Sequence, residues 1–388
     1  MSLNILIIQG GSNKKLPSGE QTVILNESKY LAKNNVVNVE YIDNGIGIFG
    51  KLSGLIWSFS NYRKVIKFID KYNPNIIHFH TVVPYLSLSV FFAAKRKNIK
   101  VVQTLHNGRW ICVEGGFVRK GKYCEKCIGN SGIFGAIYGC QNGRLASIFL
   151  VMSNLIFRYL QRNYKMVDKF IPVSDFIKKK HIQSGFSERD LKVNNNGIDI
   201  ELIEKIKNSN NIEVKPTGIV FAGRVSEAKG VAVLKYIMPI AKYHTFHIIG
   251  DGPELNELKK NSIINKCKKV IFWGKQDYED TLKIMSGAVC TIVPSQMGEP
   301  FGLVAAESMA LGVPVVSSNM GELDNLVSHG GGTVVNAREF EQFKKSVEMY
   351  LVNHDKAKLA GIKGREYVSQ KLSIQSRVEA LINIYKGL

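Results

Sequence analysis

Short apolar runs bounded by glycine and polar turns alternate with longer segments of helical period along nearly the whole chain. In the first half, residues 3–9, 36–42, 76–80, 100–105 and 169–173 read as strands, residues 13–18 as a polar loop, and 19–34, 55–72, 145–165 and 176–184 as helices. A polar stretch, residues 207–215 with Pro216, reads as a linker, and the alternation then restarts. Strands are expected at 218–222, 246–249, 270–273, 288–294, 313–317 and 332–335, with helix at 303–311 and beyond 335. Two successive alternations predict an α/β protein of two doubly wound, Rossmann-like domains whose strand-end loops face each other across a cleft. The expected division is 1–198 and 199–371, with a terminal helix over about 372–388 packing back onto the first domain.

The length of 388 residues exceeds what one core supports, and 45% hydrophobic residues suffice for two. No stretch reaches the roughly 18 apolar residues of a membrane-spanning helix. The longest candidate, residues 145–157, is interrupted by Ser147, Ser153 and Asn154. The amino terminus enters a strand without a basic region or cleavage site, so a cytoplasmic protein is expected. The net charge of +20 is unevenly placed: residues 1–195 hold 28 Lys and Arg against 11 Asp and Glu, the remainder 24 against 21. The first half therefore suits an anionic partner such as a membrane surface or a lipid-diphosphate acceptor, or else serves solubility alone. Nucleic acid would satisfy the charge too, but no recognised nucleic-acid module accompanies it. Phe49, Leu52, Leu55, Ile56, Trp57 and Phe59, near Lys51, Arg63, Lys64 and Lys67, form an apolar face edged with charge. Such a face belongs to a helix lying on a membrane or to any helix covering a sheet.

Candidate chemistry collects at the strand ends. Gly10 and Gly11 follow the first strand, where open α/β sheets bind ligands, yet no complete G-x-G-x-x-G pattern supports a dinucleotide site. The 100–105 strand delivers His106 to a loop, whereas His78 and His80, within or at the end of a strand, read as structural. Gly223-Arg224 and Lys229-Gly230 put two cations on a glycine turn, which suits a diphosphate. Gly250 begins another strand-end turn. Glu299 and Glu307 stand about 12 Å apart at the helical rise, too far to share a proton. A loop carboxylate beside the N–H groups of a helix start makes a cradle for polyol and phosphate. Cys112, Cys124, Cys127 and Cys140 contain one C-x-x-C pair and read either as a structural zinc site or as free thiols; Cys290 reads as a buried small hydrophobe.

Glu299-x7-Glu307 within Glu-Pro-Phe-Gly, Gly223-Arg224-x4-Lys229-Gly230, Gly250-Asp251-Gly252-Pro253 and Asn196-Gly197-Ile198-Asp199 together resemble the retaining glycosyltransferases of family 4, which have the GT-B fold. The resemblance extends over essentially the whole chain. It implies that Arg224 and Lys229 bind a nucleotide diphosphate and offset leaving-group charge, and that Glu307 hydrogen-bonds the ribose. Glu299 would contact donor-sugar hydroxyls, with Phe301, Gly302 and Leu303 nearby. His106 matches the family's cleft histidine, and Gly10 and Gly11 match the loop flanking donor diphosphate and acceptor. The implied chemistry retains configuration, proceeds by same-face attack assisted by the leaving phosphate, and needs no metal cofactor. Asn107-Gly108-Arg109 departs from the family, in which an acidic residue is frequent there. The cysteine segment is similar to one in some bacterial polysaccharide-assembly members.

The expected function is transfer of a sugar (hexosyltransferase-like, EC 2.4) from a nucleotide-diphosphate sugar to a lipid-linked glycan at the inner face of a bacterial membrane. That step would serve lipopolysaccharide O-antigen, capsule or exopolysaccharide biosynthesis. A GT-B-fold sugar-nucleotide epimerase is one alternative, against which the Glu-x7-Glu unit counts. A non-catalytic membrane-binding scaffold is another, against which the full set of cations and carboxylates counts.

Overall fold

The sequence Asn-Ile-Leu-Ile-Ile-Gln-Gly forms the first strand, β1 (Asn4–Gly10), buried from Ile5 onward. Aliphatic side chains on both faces of a strand require cover on both sides, which is the environment of a parallel sheet. The computed structural model describes residues 2–11, 19–42, 54–141, 143–208, 218–261 and 269–388. In it β1 pairs in parallel with β2 (Val36–Ile42) and with β3 (Ile76–His80). β4 (Lys100–Leu105) is followed by a short antiparallel hairpin, β5 (Val118–Arg119) and β6 (Lys122–Tyr123), and by β7 (Lys169–Pro172). The first sheet is parallel throughout, in the order β2-β1-β3-β4-β7, so its strand order reverses between β1 and β3.

The second sheet comprises β8 (Gly218–Ala222), β9 (Thr245–Ile249), β10 (Val270–Gly274), β11 (Cys290–Val293), β12 (Val315–Ser318) and β13 (Gly332–Val335). Their order is β10-β9-β8-β11-β12-β13, all parallel. This is the third-second-first-fourth-fifth-sixth arrangement of doubly wound folds, with its reversal between β8 and β11. Ile219, Phe221, Phe246, Ile248, Cys290 and Ile292 from the strands pack with Leu234, Phe343 and Val347 from the helices in one core.

The chain divides into two compact units. One comprises Met1–Phe117, Cys124–Asn195 and Arg377–Leu388; the other comprises Val118–Tyr123 and Asn196–Ser376. The β5–β6 hairpin therefore groups with the second unit, and the residues from Arg377 onward with the first. Within the first unit Tyr385 Oη lies 2.7 Å from His78 Nδ1, and Asn194 Nδ2 donates to Arg377 O at 3.1 Å.

Helix boundaries follow their caps. The helix expected from residue 55 starts at Phe59 because Ser58 Oγ accepts from Asn61 N–H at 3.2 Å. Ser174 likewise caps the Asp175–Gln183 helix through Ile177 N–H. The sequence pattern does not mark the Ser89–Arg96 and Ile133–Tyr138 helices, which make only about two turns each. The loop at 13–18, Phe49, Lys51, Leu52 and linker residues 209–216 lie outside the described residues, while Lys207 belongs to the Ile200–Asn208 helix. Among the described residues no helix is long and apolar enough to cross a membrane.

Candidate active site

Where strand order reverses in an open parallel sheet, the loops on either side diverge and leave a crevice at the carboxyl ends. In the second unit that position lies between β8 and β11, and both following loops carry candidate residues. After β8, Gly223 N–H donates to Ile249 O at 2.9 Å and Arg224 is exposed. A single 3-10 turn, Glu227–Lys229, then brings Lys229 round and ends at Gly230, whose φ is +87°. A Cβ on Gly230 would stand 2.0 Å from Pro294 O, so both the left-handed backbone and the contact require glycine. Gln296 N–H donates to Ala228 O at 2.8 Å, fastening the loop after β11 to the loop after β8. Gly250 backs directly onto Gly223.

This clamp joins Lys229 to Glu299. Lys229 Nζ donates to both carboxylate oxygens, at 2.9 and 2.7 Å, and Ser295 Oγ donates to Oε2 at 2.7 Å. Burial pushes the Glu299 pKa up, but the Lys229 charge and the hydrogen bonds from Lys229 and Ser295 outweigh it and hold the carboxyl below its usual value. The roles implied by resemblance put Lys229 on the diphosphate and Glu299 on the sugar; the structure also makes them each other's partner. An ammonium has three donors, so one N–H of Lys229 remains for an anion. Glu299 O accepts from Glu322 N–H at 2.9 Å, which anchors the loop backbone. Phe301 is buried, and Gly302 leads into the Leu303–Leu311 helix, whose first-turn N–H groups have no intrahelical acceptor. Leu303 is half-buried at that start.

Glu307 sits in the same helix, buried. Burial pushes its carboxyl up to about 8, against a hydrogen bond from Tyr278 that favours the ionised form. Burial and then the Glu307 and Asp199 carboxylates push the Tyr278 phenol well above its usual value. Asp199 Oδ1 accepts from Leu202 N–H at 3.1 Å and so caps the Ile200–Asn208 helix. Glu299 and Glu307 therefore belong to two different settings, one with a cation and one, among the described residues, without.

In the first unit the reversal lies between β1 and β3. A Cβ on Gly10 would meet Thr81 O at 2.4 Å, so β1 and the chain after β3 touch through backbone; Gly11 N–H donates to Ile42 O at 3.0 Å. Thr81 Oγ1 donates to Glu20 Oε2 at 2.7 Å, and Asn107 Nδ2 to Glu20 Oε1 at 3.2 Å. Glu20 thereby ties together the chain leaving β3 and β4. His106, buried, has Nε2 2.8 Å from His80 Nδ1. Burial lowers the His106 pKa against the opposing charge of Glu20, and burial followed by the other two imidazoles holds His80 well below its usual value. The two neutral rings share one hydrogen bond, one nitrogen donating and the other accepting.

Glu20, Ser295 and Tyr278 are absent from the residues the sequence singles out, and His80 is read there as structural. His80 carries the same signal as His106, a histidine at a strand's carboxyl end. Glu20 and Tyr278 meet their partners only through the fold.

Among the described residues Cys112, Cys124, Cys127 and Cys140 form no disulfide; Cys112 and Cys127 are buried. Burial pushes the Cys127 thiol up to about 12 and raises Cys112 as well, which holds both protonated. Among the described residues no group of three or more His, Cys, Asp or Glu is arranged to hold a metal ion. The sequence reads these four positions either as a structural zinc site or as free thiols, and after burial the charges of Cys112, Cys140 and Cys124 also act to raise Cys127.

Comparison with known proteins agrees with this architecture. Residues 20–202 match the model of Glycosyltransferase Family 4, and residues 203–367 that of Glycosyl transferases group 1. An uncharacterized 41.2 kDa protein in the cps region of Klebsiella pneumoniae is 27% identical over 243 residues, 60% of this chain and 65% of that protein. The chain thus spans less than two thirds of the length of this curated relative. Anabaena HepE in complex with UDP and glucose matches 99% of this chain and 100% of its own, with a TM-score of 0.71 at 19% identity. Sucrose-phosphate synthase from Thermosynechococcus elongatus matches 99% and 98%, with a TM-score of 0.70 at 17% identity. With its two halves matched in turn by the two glycosyltransferase models and its two parallel sheets matched by these structures, the chain belongs to the family 4 glycosyltransferases and has their GT-B fold.

Proposed function

We propose that this protein is a retaining glycosyltransferase that moves a sugar from a nucleoside-diphosphate sugar to a lipid-linked glycan in surface-polysaccharide assembly, at the inner face of the membrane. The observation that carries this reading is the Lys229–Glu299 pair at the strand-order reversal, beside the start of the helix that holds Glu307. The UDP and glucose bound by HepE support a nucleotide-sugar donor, and the cps-region relative supports a polysaccharide product. The excess of basic residues in the first half supports an anionic, lipid-linked acceptor.

In this scheme the bond from the sugar's anomeric carbon to the diphosphate breaks while the acceptor hydroxyl attacks the same face. The departing phosphate oxygen takes the hydroxyl proton as the new glycosidic bond forms. Arg224, the remaining N–H of Lys229 and the N–H groups before Ala306 face the charge that develops on the diphosphate; preorganised donors of this kind supply much of an enzyme's rate enhancement. Glu299 accepts from sugar hydroxyls and holds Lys229 in place. Glu307 accepts from the ribose. In the first unit, Gly10, Gly11 and His106 lie at the strand ends beside the order reversal and would serve the acceptor. The chain's own cations serve as the electrophilic groups.

Incubation with a panel of nucleotide sugars and membrane-derived acceptors tests the reading. The expected result is acceptor-dependent release of nucleoside diphosphate, reduced at least about 100-fold in Glu299→Gln and Lys229→Ala. Full activity in both variants would overturn the site assignment. Interconversion of free nucleotide sugars without acceptor would make the protein an epimerase, and vesicle binding with no turnover would make it a scaffold.

A further inference from the structure

The Arg144–Tyr164 helix is inverted relative to an ordinary surface helix. Its buried side carries Ser147, Ser153 and Asn154 among Leu150, Val151 and Phe157. Each of those side chains donates a hydrogen bond into the protein: Ser147 Oγ to Gly143 O at 2.8 Å, Ser153 Oγ to Leu55 O at 3.0 Å and Asn154 Nδ2 to Arg109 O at 2.7 Å. Its outer side carries Leu145, 56% exposed, then Ile148, Met152, Leu155, Ile156 and Tyr159, the last 62% exposed. These positions recur at helical period, so they form one continuous apolar stripe. Ile133 and Ile137, four residues apart on the adjoining Ile133–Tyr138 helix, are 53% and 51% exposed. Single exposed apolar residues are ordinary, but a contiguous exposed stripe marks an interaction surface.

Charge identifies the partner. From Lys126 to Val167 the sequence contains no Asp or Glu, but it contains Lys126, Arg144, Arg158, Arg162 and Lys165. Three of these cations gather at the carboxyl end of the stripe. There a groove of about 660 Å³ is lined by Leu155, Arg158, Tyr159, Arg162 and Lys165, with Asp190 as its one acidic wall residue. We propose that this face docks on an anionic lipid bilayer: the helix lies in the interface plane, the stripe enters the headgroup and acyl boundary, and the cations meet lipid phosphates. Ser147, Ser153 and Asn154, held by the protein on the opposite side, keep the helix from spanning. A second copy of the chain is the competing occupant, but it would bring the same basic set against itself with no carboxylate on the helix to offset the repulsion.

Co-sedimentation with phosphatidylcholine vesicles, with and without phosphatidylglycerol, tests this. It needs neither donor nor acceptor, so its failure is distinguishable from failure of the transfer reading. The full-length protein is expected to pellet with the phosphatidylglycerol vesicles and to be released by added salt. Ile148→Ser/Leu155→Ser is expected to weaken binding at least about tenfold. Arg162→Ser/Lys165→Ser is expected to weaken it about fivefold per cation. An unchanged melting temperature would show that these exposed substitutions leave the fold intact. Equal pelleting with both vesicle types, or wild-type binding by the stripe variant, would overturn the proposal. So would a solution dimer that Ile148→Ser/Leu155→Ser dissociates, because the stripe would then be covered by a second copy.

Discussion

Glu299 and Glu307 are buried carboxyls in one loop and helix, held in opposite protonation states. Glu299 has an ammonium and a hydroxyl on its oxygens, whereas Glu307 has a phenol and, among the described residues, no cation. Lys229→Met would leave Glu299 with Ser295 alone, and the lost charge-assisted hydrogen bonds should cost about 1–3 kcal/mol in urea unfolding. Adding Glu299→Gln to that variant should recover part of the loss, because the stranded charge is removed. With its pKa near 8, Glu307 holds a proton at pH 7 in the ligand-free protein. If it accepts from the ribose as a carboxylate, UDP binding at pH 7 should release a proton, seen by calorimetry in buffers of different ionisation enthalpy. Glu307→Gln should abolish that release; unaltered proton release in this variant would remove Glu307 from the nucleotide site. The motif spacing makes Arg224, Lys229, Glu299 and Glu307 legible as candidates. It does not reveal that Lys229 and Glu299, 70 residues apart, bind each other, or that His80 hydrogen-bonds His106, because such pairings depend on which strand ends lie side by side.

At the scale of elements, the Lys229 turn is held by a contact that leaves no room for a side chain. Gly230→Ala would impose a left-handed backbone on alanine and drive its Cβ into Pro294 O. We expect a loss of about 2 kcal/mol or more in thermal unfolding, together with weaker UDP binding from a displaced Lys229. A variant as stable and as tight-binding as the wild type would show that the two loops can separate at little cost. Most strands are legible because parallel strands are apolar on both faces, and the helix starts at Phe59 and Asp175 are fixed by serine caps. The Ser89–Arg96 and Ile133–Tyr138 helices are too short to establish a period. The Arg144–Tyr164 helix is legible as a helix, but period alone does not say which face turns outward; the partners of Ser153 and Asn154 decide that.

At the scale of the molecule, buried titratable groups pull stability in opposite directions with pH. Glu27, pushed up to about 7, and Glu307, up to about 8, contribute stability that is complete below their ordinary range and is lost as pH rises through 7 and 8. His78, pushed down to about 3, and His181, down to about 4, contribute stability that is complete above 6.5 and is lost as pH falls toward 4 and 3. The melting temperature should therefore be highest between about pH 5 and 7 and fall on either side, with the alkaline fall reduced in Glu307→Gln. A melting temperature that climbed steadily from pH 6 to 9 would contradict these assignments. Two doubly wound units are legible in the alternation of strands and helices, but their strand orders are not, since alternation does not say which strands become neighbours. The bond between Tyr385 and His78 has a consequence for synthesis. A ribosome delivers every residue of the second unit before it delivers Arg377, while the first unit still lacks its last helix. The half that leaves the ribosome first is the half that closes last.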